Sequence, residues 1–181
     1  MLFRSIKKIL KKEAFDKIPS VDINVVNKLY EKELLQLNKK IIVLDDDPTG
    51  VQTVHDISVY TDWSEDSIEK GFAEKNSMFF ILTNSRGFIA SETEKAHKEI
   101  ALNVIKVAKK LNKEFLIISR SDSTLRGHYP LETNVLRETI ESNSELKYDG
   151  EVLLPFFKEG GRFTIDNIHY VQDGDRKSTR L

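Results

Sequence analysis

The sequence predicts an α/β fold: a three-layer, mostly parallel β-sheet of Rossmann-like topology, with helices on both faces and a helical extension before it. Short apolar runs of strand length alternate with segments of helical periodicity, an order typical of βαβ units. A polar cluster directly follows three of these runs. The carboxyl ends of parallel strands form the edge where open α/β sheets bind ligands, so we expect the three clusters to form one site.

The composition is typical of a globular domain and excludes several classes of protein. Hydrophobic residues make up 39% of the 181 residues and charged residues 31%, so the chain can bury a core. Cysteine is absent, which excludes disulfides, thiolate metal sites and cysteine nucleophiles. The formal net charge is −1, and no apolar run approaches the roughly 18 residues of a membrane span. We therefore expect a soluble, cytoplasmic protein that binds neither nucleic acid nor membrane.

Residues 1–40 are predicted to form a basic, amphipathic helical extension. The first twelve residues combine five Lys or Arg with apolar residues at helical spacing. Such a segment is typical of an arm packed on the body, a membrane-surface helix or a targeting segment. Because it has neither a continuous apolar core nor a small-residue cleavage site, a signal peptide is disfavoured and we favour the packed arm. A second helix is expected after residues 19–20.

The body is predicted to begin at residue 41. Five runs favour strands; they lie at residues 41–44, 57–60, 78–82, 115–118 and 152–154. Helices are expected at residues 64–75 and 131–141, and a further helix opens at the capping-box pattern of Ser91 and Glu94. One face of that helix is apolar and is expected to pack on the sheet; it carries Ile100, Val104, Ala108 and Leu111.

Several common catalytic motifs are missing. No glycine is followed by lysine and no two glycines are spaced as G-x-G, so the P-loop and the dinucleotide-binding fingerprint are both excluded. A G-x-S-x-G nucleophile elbow is absent as well. The four histidines are scattered along the chain, and we predict no metal site. His97, which lies among charged residues, is expected at the surface.

The first polar cluster contains three consecutive aspartates, Asp45, Asp46 and Asp47. Their mutual repulsion requires a cation or an arginine nearby. Carboxylates suit Mg²⁺ and can accept a proton from a substrate hydroxyl, whereas in an ordinary turn one aspartate would cap the chain and the others would be solvated. The position at a strand end favours the functional interpretation, and Gly50 permits close approach of the backbone.

Arginines follow the next two buried runs: Arg86 follows one, and Arg120 and Arg126 follow the other. The planar guanidinium group matches a carboxylate or a phosphate, and nearby serine and threonine hydroxyls can contact a sugar. A purely structural pair of Arg126 with Asp122 is the alternative for one of these arginines. Together these residue types describe a pocket for a small, hydroxylated anion.

Four segments, in their order along the chain, resemble the four-carbon acid sugar kinase family. The run DDPTG at residues 46–50 resembles the family's D-D-x-T-G motif, and RSDSTLRGH at residues 120–128 resembles its D-S-T-L-R-G block. Two further segments, TNSR at residues 83–86 and PFFKEGGR at residues 155–162, stand in the expected order. The resemblance extends over residues 41–176 and leaves residues 177–181 outside it.

The resemblance implies an ATP-dependent kinase that phosphorylates a four-carbon sugar acid such as erythronate, threonate or a 3-oxo-tetronate. In such kinases the N-terminal domain binds the sugar acid, and a C-terminal domain of similar size binds ATP with Mg²⁺. We therefore expect residues 41–176 to be the sugar-acid-binding domain. We also expect the ATP-binding domain to be missing, which would leave this chain inactive by itself. The oligomeric state is not predicted, and a homodimer is one alternative.

The resemblance also implies roles for individual residues. Asp46 and Asp47 are expected nearest the phosphoryl-accepting hydroxyl, one of them as the general base. Arg120 and Arg126 would bind the substrate carboxylate. The remaining substrate-binding residues implied by the resemblance are Thr49, Gly50, Asn84, Ser85, Arg86, Asp122, Ser123, Gly127, His128, Gly160 and Gly161.

The residues are also compatible with two other functions. The D-x-D-x-T pattern at residues 45–49 also resembles the nucleophile motif of haloacid-dehalogenase-type phosphatases, with Asp45 as nucleophile and Asp47 as acid/base. That family also needs a later lysine and an acidic pair, which have no clear counterpart here, and it gives the block at residues 120–128 no role. The other alternative is a non-catalytic module that binds a sugar acid.

Overall fold

The computed structural model describes residues 9–52, 54–122 and 126–172. The helices are α1 (Lys11–Phe15), α2 (Ile23–Gln36), α3 (Glu65–Ala73), α4 (Ala90–Leu111) and α5 (Leu131–Asn143). The strands are β1 (Lys39–Asp45), β2 (Val59–Tyr60), β3 (Met78–Leu82), β4 (Glu114–Arg120), β5 (Arg162–Ile165) and β6 (Ile168–Val171). Among the helices in these ranges, none is both long and apolar enough to cross a membrane.

The chain divides into two compact units. Among the residues that the structure describes, those within 38–152 form the larger unit, and those within 1–37 and 153–181 form the smaller unit. The larger unit is built on a parallel sheet with the strand order β2-β3-β1-β4. Its central strand β1 is a continuous apolar run in the middle, as expected for a strand that is buried on both faces.

Strands β1, β3 and β4 end at the same level of the sheet. Asp45 at the end of β1 is in register with Leu82 of β3 on one side and with Arg120 of β4 on the other. The loops that follow the three strands therefore begin at the same edge of the sheet, and this alignment positions the candidate site.

Helices α3, α4 and α5 pack on one face of the sheet. Alternate strand residues such as Ile42 and Ile81 join Ile68 of α3, Val104 of α4 and Ile140 of α5 in one buried core. The chain runs from β2 through α3 to β3 and then through α4 to β4, always in one direction across the sheet. Right-handed crossovers therefore bring both connecting helices to the same face. The predicted α/β class with a parallel sheet is confirmed. Helices were predicted on both faces, and the three helices described in the larger unit share one face.

Two details of the sequence prediction are wrong. Residues 152–154 form no strand, and Val152 is 91% exposed. An apolar run becomes a strand only where a neighbour completes its hydrogen-bond ladder, and among the described residues this segment has no such neighbour. Helix α4 begins before Ser91, because the Glu92 carboxylate accepts the Ile89 backbone N–H at 3.1 Å and thus caps the helix two residues earlier than predicted.

The smaller unit contains α1, α2 and a β-hairpin. Asp22 caps α2 by accepting hydrogen bonds from two first-turn N–H groups, as aspartate commonly does. Strands β5 and β6 pair antiparallel, and the rings of Phe15 and Phe156 pack edge-on against Phe163 at centroid distances of 5.2 and 5.9 Å. Of the basic helix predicted in the first twelve residues, residues 1–8 lie outside the described residues.

Candidate functional site

Loops from β1, β3 and β4 bring the predicted acidic and basic residues together at the carboxyl edge of the sheet. Asp46 follows β1, Arg86 lies in the 3₁₀ turn after β3, and Arg120 ends β4. The Asp46 N–H donates to the Arg120 carbonyl at 3.3 Å, and the Arg86 N–H donates to the Asp46 carbonyl at 3.2 Å. These backbone hydrogen bonds tie the three polar clusters to one another.

Arg86 binds both aspartates that were predicted to be catalytic. Its Nε and Nη2 donate to Oδ2 and Oδ1 of Asp46 at 3.0 and 2.7 Å, and its Nη1 donates to Oδ2 of Asp47 at 2.9 Å. Paired guanidinium–carboxylate bonds are directional and stronger than neutral hydrogen bonds. Since Asp46 is only 3% exposed, Arg86 supplies the positive charge that the buried carboxylate requires.

Asp47 is the more accessible of the two aspartates, with 24% of its side chain exposed. Its Oδ1 accepts hydrogen bonds from the Thr49 backbone N–H at 2.8 Å and from the Thr49 hydroxyl. The hydrogen bond from the Thr49 hydroxyl, assisted by the charge of Arg86, holds the pKa of the Asp47 carboxyl below its usual range. Asp47 is therefore ionised at neutral pH, and the Thr49 hydroxyl is engaged within its own loop.

Asp45, the first of the three consecutive aspartates, is buried, with only 1% of the residue exposed. Burial raises the pKa of Asp45 to about 6, although Arg120, whose Nη1 donates to Asp45 Oδ1 at 3.3 Å, acts in the opposite direction. Gly50 lies against the same carboxylate, and a Cβ at that position would be 1.8 Å from Asp45 Oδ2. A covalent nucleophile has to reach its substrate, so the enclosure of Asp45 disfavours the phosphatase alternative.

Arg126 forms a bidentate pair with Asp122. Its Nε donates to Oδ2 at 2.7 Å and its Nη2 donates to Oδ1 at 3.1 Å, while its backbone N–H also donates to Oδ2 at 3.2 Å. This is the pair that the sequence left open as a structural alternative. The Arg126 side chain is half-exposed and can still be reached by a ligand. Ser123 lies outside the described residues.

Gly127 lies against Asp46 and Ser121. A Cβ on Gly127 would come within 2.2 Å of Ser121 Oγ and 3.1 Å of Asp46 Oδ2, so the loop can approach the acid this closely only with glycine. The Ser121 hydroxyl donates to Asp46 Oδ2 at 3.4 Å. Ser121 is one of the serines near Arg120 whose hydroxyls the sequence offered as contacts to a sugar.

Asn84 and Ser85 differ in their access to a ligand. Asn84 is exposed and adopts a left-handed conformation with φ 54°, which asparagine tolerates better than most residues. Ser85 is fully buried, and its hydroxyl lies 2.9 Å from that of Thr83. Thr83 in turn donates to the Asp45 carbonyl at 3.0 Å. The Ser85 hydroxyl is therefore enclosed within the loop, and its predicted contact with a substrate stays a prediction.

A cluster of buried polar residues was not predicted from the sequence; it consists of Thr93, His97 and Glu132. The prediction that His97 lies at the surface is wrong, because His97 is only 2% exposed and its Nδ1 is 2.8 Å from the Thr93 carbonyl. Burial lowers the pKa of His97, against the effects of that hydrogen bond and of the nearby Glu132 carboxylate. The signal was available: residues 93, 97, 100 and 104 share one helical face.

Gly160 and Gly161 belong to the smaller unit, just before β5. Gly161 has a φ of +67°, a conformation that favours glycine. A Cβ on Gly160 would come within 2.3 Å of the Phe157 ring. Local packing of the hairpin therefore accounts for both glycines.

The acidic residues do not fit a metal ion in this arrangement. In the part of the chain that the structure describes, no group of three or more His, Asp or Glu is placed to hold one. The carboxylate oxygens of Asp46 and Asp47 all accept hydrogen bonds from Arg86 or Thr49. An Mg²⁺ ion would have to replace these bonds with its own oxygen contacts.

A parallel α/β sheet with carboxylates, arginines and hydroxyls at its carboxyl edge defines a binding domain for a small polar ligand. Residues 41–180 match the family described as a sugar-binding N-terminal domain, and the chain belongs to that family. This match confirms the predicted resemblance to the N-terminal domain of four-carbon acid sugar kinases and gives the chain a sugar-binding role. No curated protein and no solved structure matches the chain.

Proposed function

We propose that this chain binds a four-carbon sugar acid, of the erythronate, threonate or 3-oxo-tetronate type, as the substrate half of an ATP-dependent kinase. The family match supports a sugar as the ligand. The resemblance of the sequence motifs to those of four-carbon acid sugar kinases implies that this sugar is a four-carbon acid. The observation that carries the proposal is the Asp46–Asp47 pair, which Arg86 holds at the carboxyl edge of the sheet beside Arg120.

Arg120 and Arg126 are the proposed partners of the substrate carboxylate. Arg120 makes one long hydrogen bond to Asp45 and its side chain is 32% exposed, so further N–H donors of its guanidinium group are available to a ligand. Arg126 presents its half-exposed guanidinium group in an orientation fixed by Asp122. Asp122 and Ser123 are the proposed partners of the sugar hydroxyls.

Asp46 and Asp47 are the proposed proton acceptors. In the reaction the substrate hydroxyl oxygen bonds to the γ-phosphorus of ATP, the bond from that phosphorus to the β,γ-bridging oxygen breaks, and the hydroxyl proton passes to a carboxylate. Asp47 suits this role because it is the more exposed of the two and is ionised at neutral pH. A weak base suffices, since phosphoryl transfer depends mainly on positioning and on charge stabilisation.

ATP and Mg²⁺ are the proposed cosubstrate and cofactor of the complete enzyme, held by a C-terminal ATP-binding domain. The sequence carries no glycine-rich phosphate-binding motif. Positioning of the sugar acid is thus the contribution we assign to the residues of this chain.

A thermal-shift panel tests the ligand class. A ligand that binds only the folded chain, at about 100 times its Kd, adds about 2.7 kcal/mol to stability. We expect stabilisation by erythronate, threonate or 3-oxo-tetronate, and none by erythritol, the matched four-carbon polyol without a carboxylate. ATP–Mg²⁺ alone should have no effect. Stabilisation only by Mg²⁺ with beryllium fluoride would point to an aspartyl-phosphate enzyme and would overturn the proposal.

Complementation tests the kinase role separately from binding. The chain is mixed with the ATP-binding C-terminal domain of a four-carbon acid sugar kinase and with radiolabelled ATP, and phosphoryl transfer to the sugar acid is measured. We expect transfer with the wild-type chain and its loss with Asp47→Asn. Sugar-acid binding without transfer in any mixture would favour the non-catalytic binding module.

A further inference from the structure

Glu132 is a buried carboxylate that the proposed reaction does not use. It lies in the first turn of α5 and is only 1% exposed. Its Oε1 accepts the His128 backbone N–H at 3.4 Å, and its Oε2 accepts the Ser119 hydroxyl at 3.5 Å. Burying a carboxylate is costly unless it is paired, and apolar packing alone would not require a glutamate here.

One of the two hydrogen bonds to Glu132 comes from His128, which α4 contacts from a second side. The Thr93 hydroxyl lies 2.5 Å from His128 Nδ1, and Thr93 is fully buried. The backbone of His128 is thus bound by α5 and its side chain by α4. Two helices of the core together fix one residue of the loop that follows β4.

Gly127 in this loop also lies beside Asp46, one of the two proposed proton acceptors. Gly127 lies between Glu132 and Asp46: a Cβ built on it would be 3.1 Å from Asp46 Oδ2 and 3.6 Å from Glu132 Oε1. The position of the peptide between Gly127 and His128 therefore sets the space next to Asp46. A small displacement of that peptide would change the space offered to a ligand.

We propose that Glu132 and Thr93 are positioning residues that fix Gly127 and His128 against Asp46 in the geometry that binds the sugar acid. The inference rests on the proposed function. Because both residues are buried, they act through the loop and not by touching the ligand. Loosening the loop should lower ligand affinity even where the fold is retained, because a loop that is not preorganised must be ordered when the ligand binds.

The test compares Glu132→Gln with Glu138→Gln, an exposed position on the same helix. Glutamine keeps the size of the side chain but removes the negative charge that strengthens both hydrogen bonds. Its amide oxygen can accept from the His128 N–H only in the rotamer whose NH2 group donates to the Ser119 hydroxyl. Calorimetric titration with each of the three sugar acids, well below the melting temperature, should give about ten-fold weaker binding for Glu132→Gln and unchanged binding for Glu138→Gln. A lower melting temperature with unchanged affinity would mean a merely structural role and would overturn the inference.

Two further measurements keep the inference separate from the proposed function. If Glu132→Gln does not fold, Thr93→Val should show the weaker binding, and wild-type affinity in that variant would overturn the inference. If the wild-type chain binds none of the sugar acids, the proposed substrate class is wrong. The positioning role is then tested by amide hydrogen exchange at His128. We expect the exchange rate to be about ten-fold higher than in the wild type in whichever of the two variants folds. An unchanged exchange rate would overturn it.

Discussion

Arg86 and Asp46, which are 40 residues apart in the sequence, are joined by two parallel hydrogen bonds of 3.0 and 2.7 Å. The pair links the loop after β3 to the loop after β1 across the carboxyl edge of the sheet. Asp46 has almost no access to solvent, so Arg86 is the cation that compensates its charge. The geometry of the acidic pair therefore depends on a residue from a different loop.

Replacing Arg86 should strongly destabilise the fold. Arg86→Ala leaves the buried Asp46 carboxylate without its bidentate partner, for which we expect a loss of about 3–5 kcal/mol in the free energy of unfolding. Arg86→Lys keeps the charge but not the fork of paired donors, and it should cost about 1–3 kcal/mol. Urea unfolding at pH 7 measures both losses.

The matched control for Arg86 is Arg137 on α5. Its guanidinium group is exposed and donates to Asn134 Oδ1 at 3.1 Å. Arg137→Ala should change the free energy of unfolding by less than about 0.5 kcal/mol. If Arg86→Ala proves as mild as Arg137→Ala, the bidentate pair does not hold the site together.

The contact between Gly50 and Asp45 predicts that even one methyl group is harmful there. The Cβ of Gly50→Ala would lie 1.8 Å from Asp45 Oδ2, and the side chain it would displace is only 1% exposed. We expect a loss of about 1–3 kcal/mol, as for other overpacked sites, together with weaker sugar-acid binding. Gly150→Ala is the control, because no atom lies within 4 Å of its Cβ position. Equal thermal unfolding of the two variants would contradict the prediction.

Most of the sheet could be predicted from the sequence, because its strands are short apolar runs whose secondary structure is clear from their pattern. The run at residues 78–82 coincides with β3 (Met78–Leu82). The run at residues 41–44 lies inside β1 (Lys39–Asp45). Residues 152–154 have the same apolar character but form no strand, since strand formation also depends on a partner that local sequence does not specify.

The candidate site was predictable in its location but not in its pairings. Strand ends placed the acidic and basic clusters at one edge, yet the sequence could not show that Arg86 binds Asp46 and that Arg126 binds Asp122. Such pairs depend on loop conformation and on strand order. The burial of His97 had a signal in helical periodicity, which the neighbouring charged residues obscured.

Asp45 predicts a specific dependence of stability on pH. The pKa of Asp45 is raised to about 6 in the folded chain, whereas an unfolded aspartate titrates near about 3.9. Between these values the folded state binds the extra proton, so the contribution of Asp45 to stability falls as the pH rises through this window. The full cost of ionising the buried carboxyl, about 3 kcal/mol, is present above about pH 6.

Asp45→Asn isolates this effect. Urea unfolding of the wild-type chain and of the variant between pH 4 and pH 8 gives the difference in stability between them. Relative to the variant, the wild type should lose about 3 kcal/mol between about pH 4 and 6 and change little above that range. The lowered pKa of Asp47 acts with the opposite sign at lower pH and is common to both proteins. A difference that is constant with pH would contradict the raised pKa of Asp45.

Arg126 decides between substrate binding and a purely structural pair with Asp122. If Arg126 binds the substrate carboxylate, Arg126→Ala should weaken sugar-acid binding by about 1.5–3 kcal/mol, the usual contribution of a hydrogen bond to a charged group. Calorimetric titration measures this loss, with Arg137→Ala as the control. A purely structural pair would instead lower the melting temperature and cost less than about 0.5 kcal/mol in binding. Because half of the Arg126 side chain is exposed while Asp122 is buried, we expect the larger loss in binding.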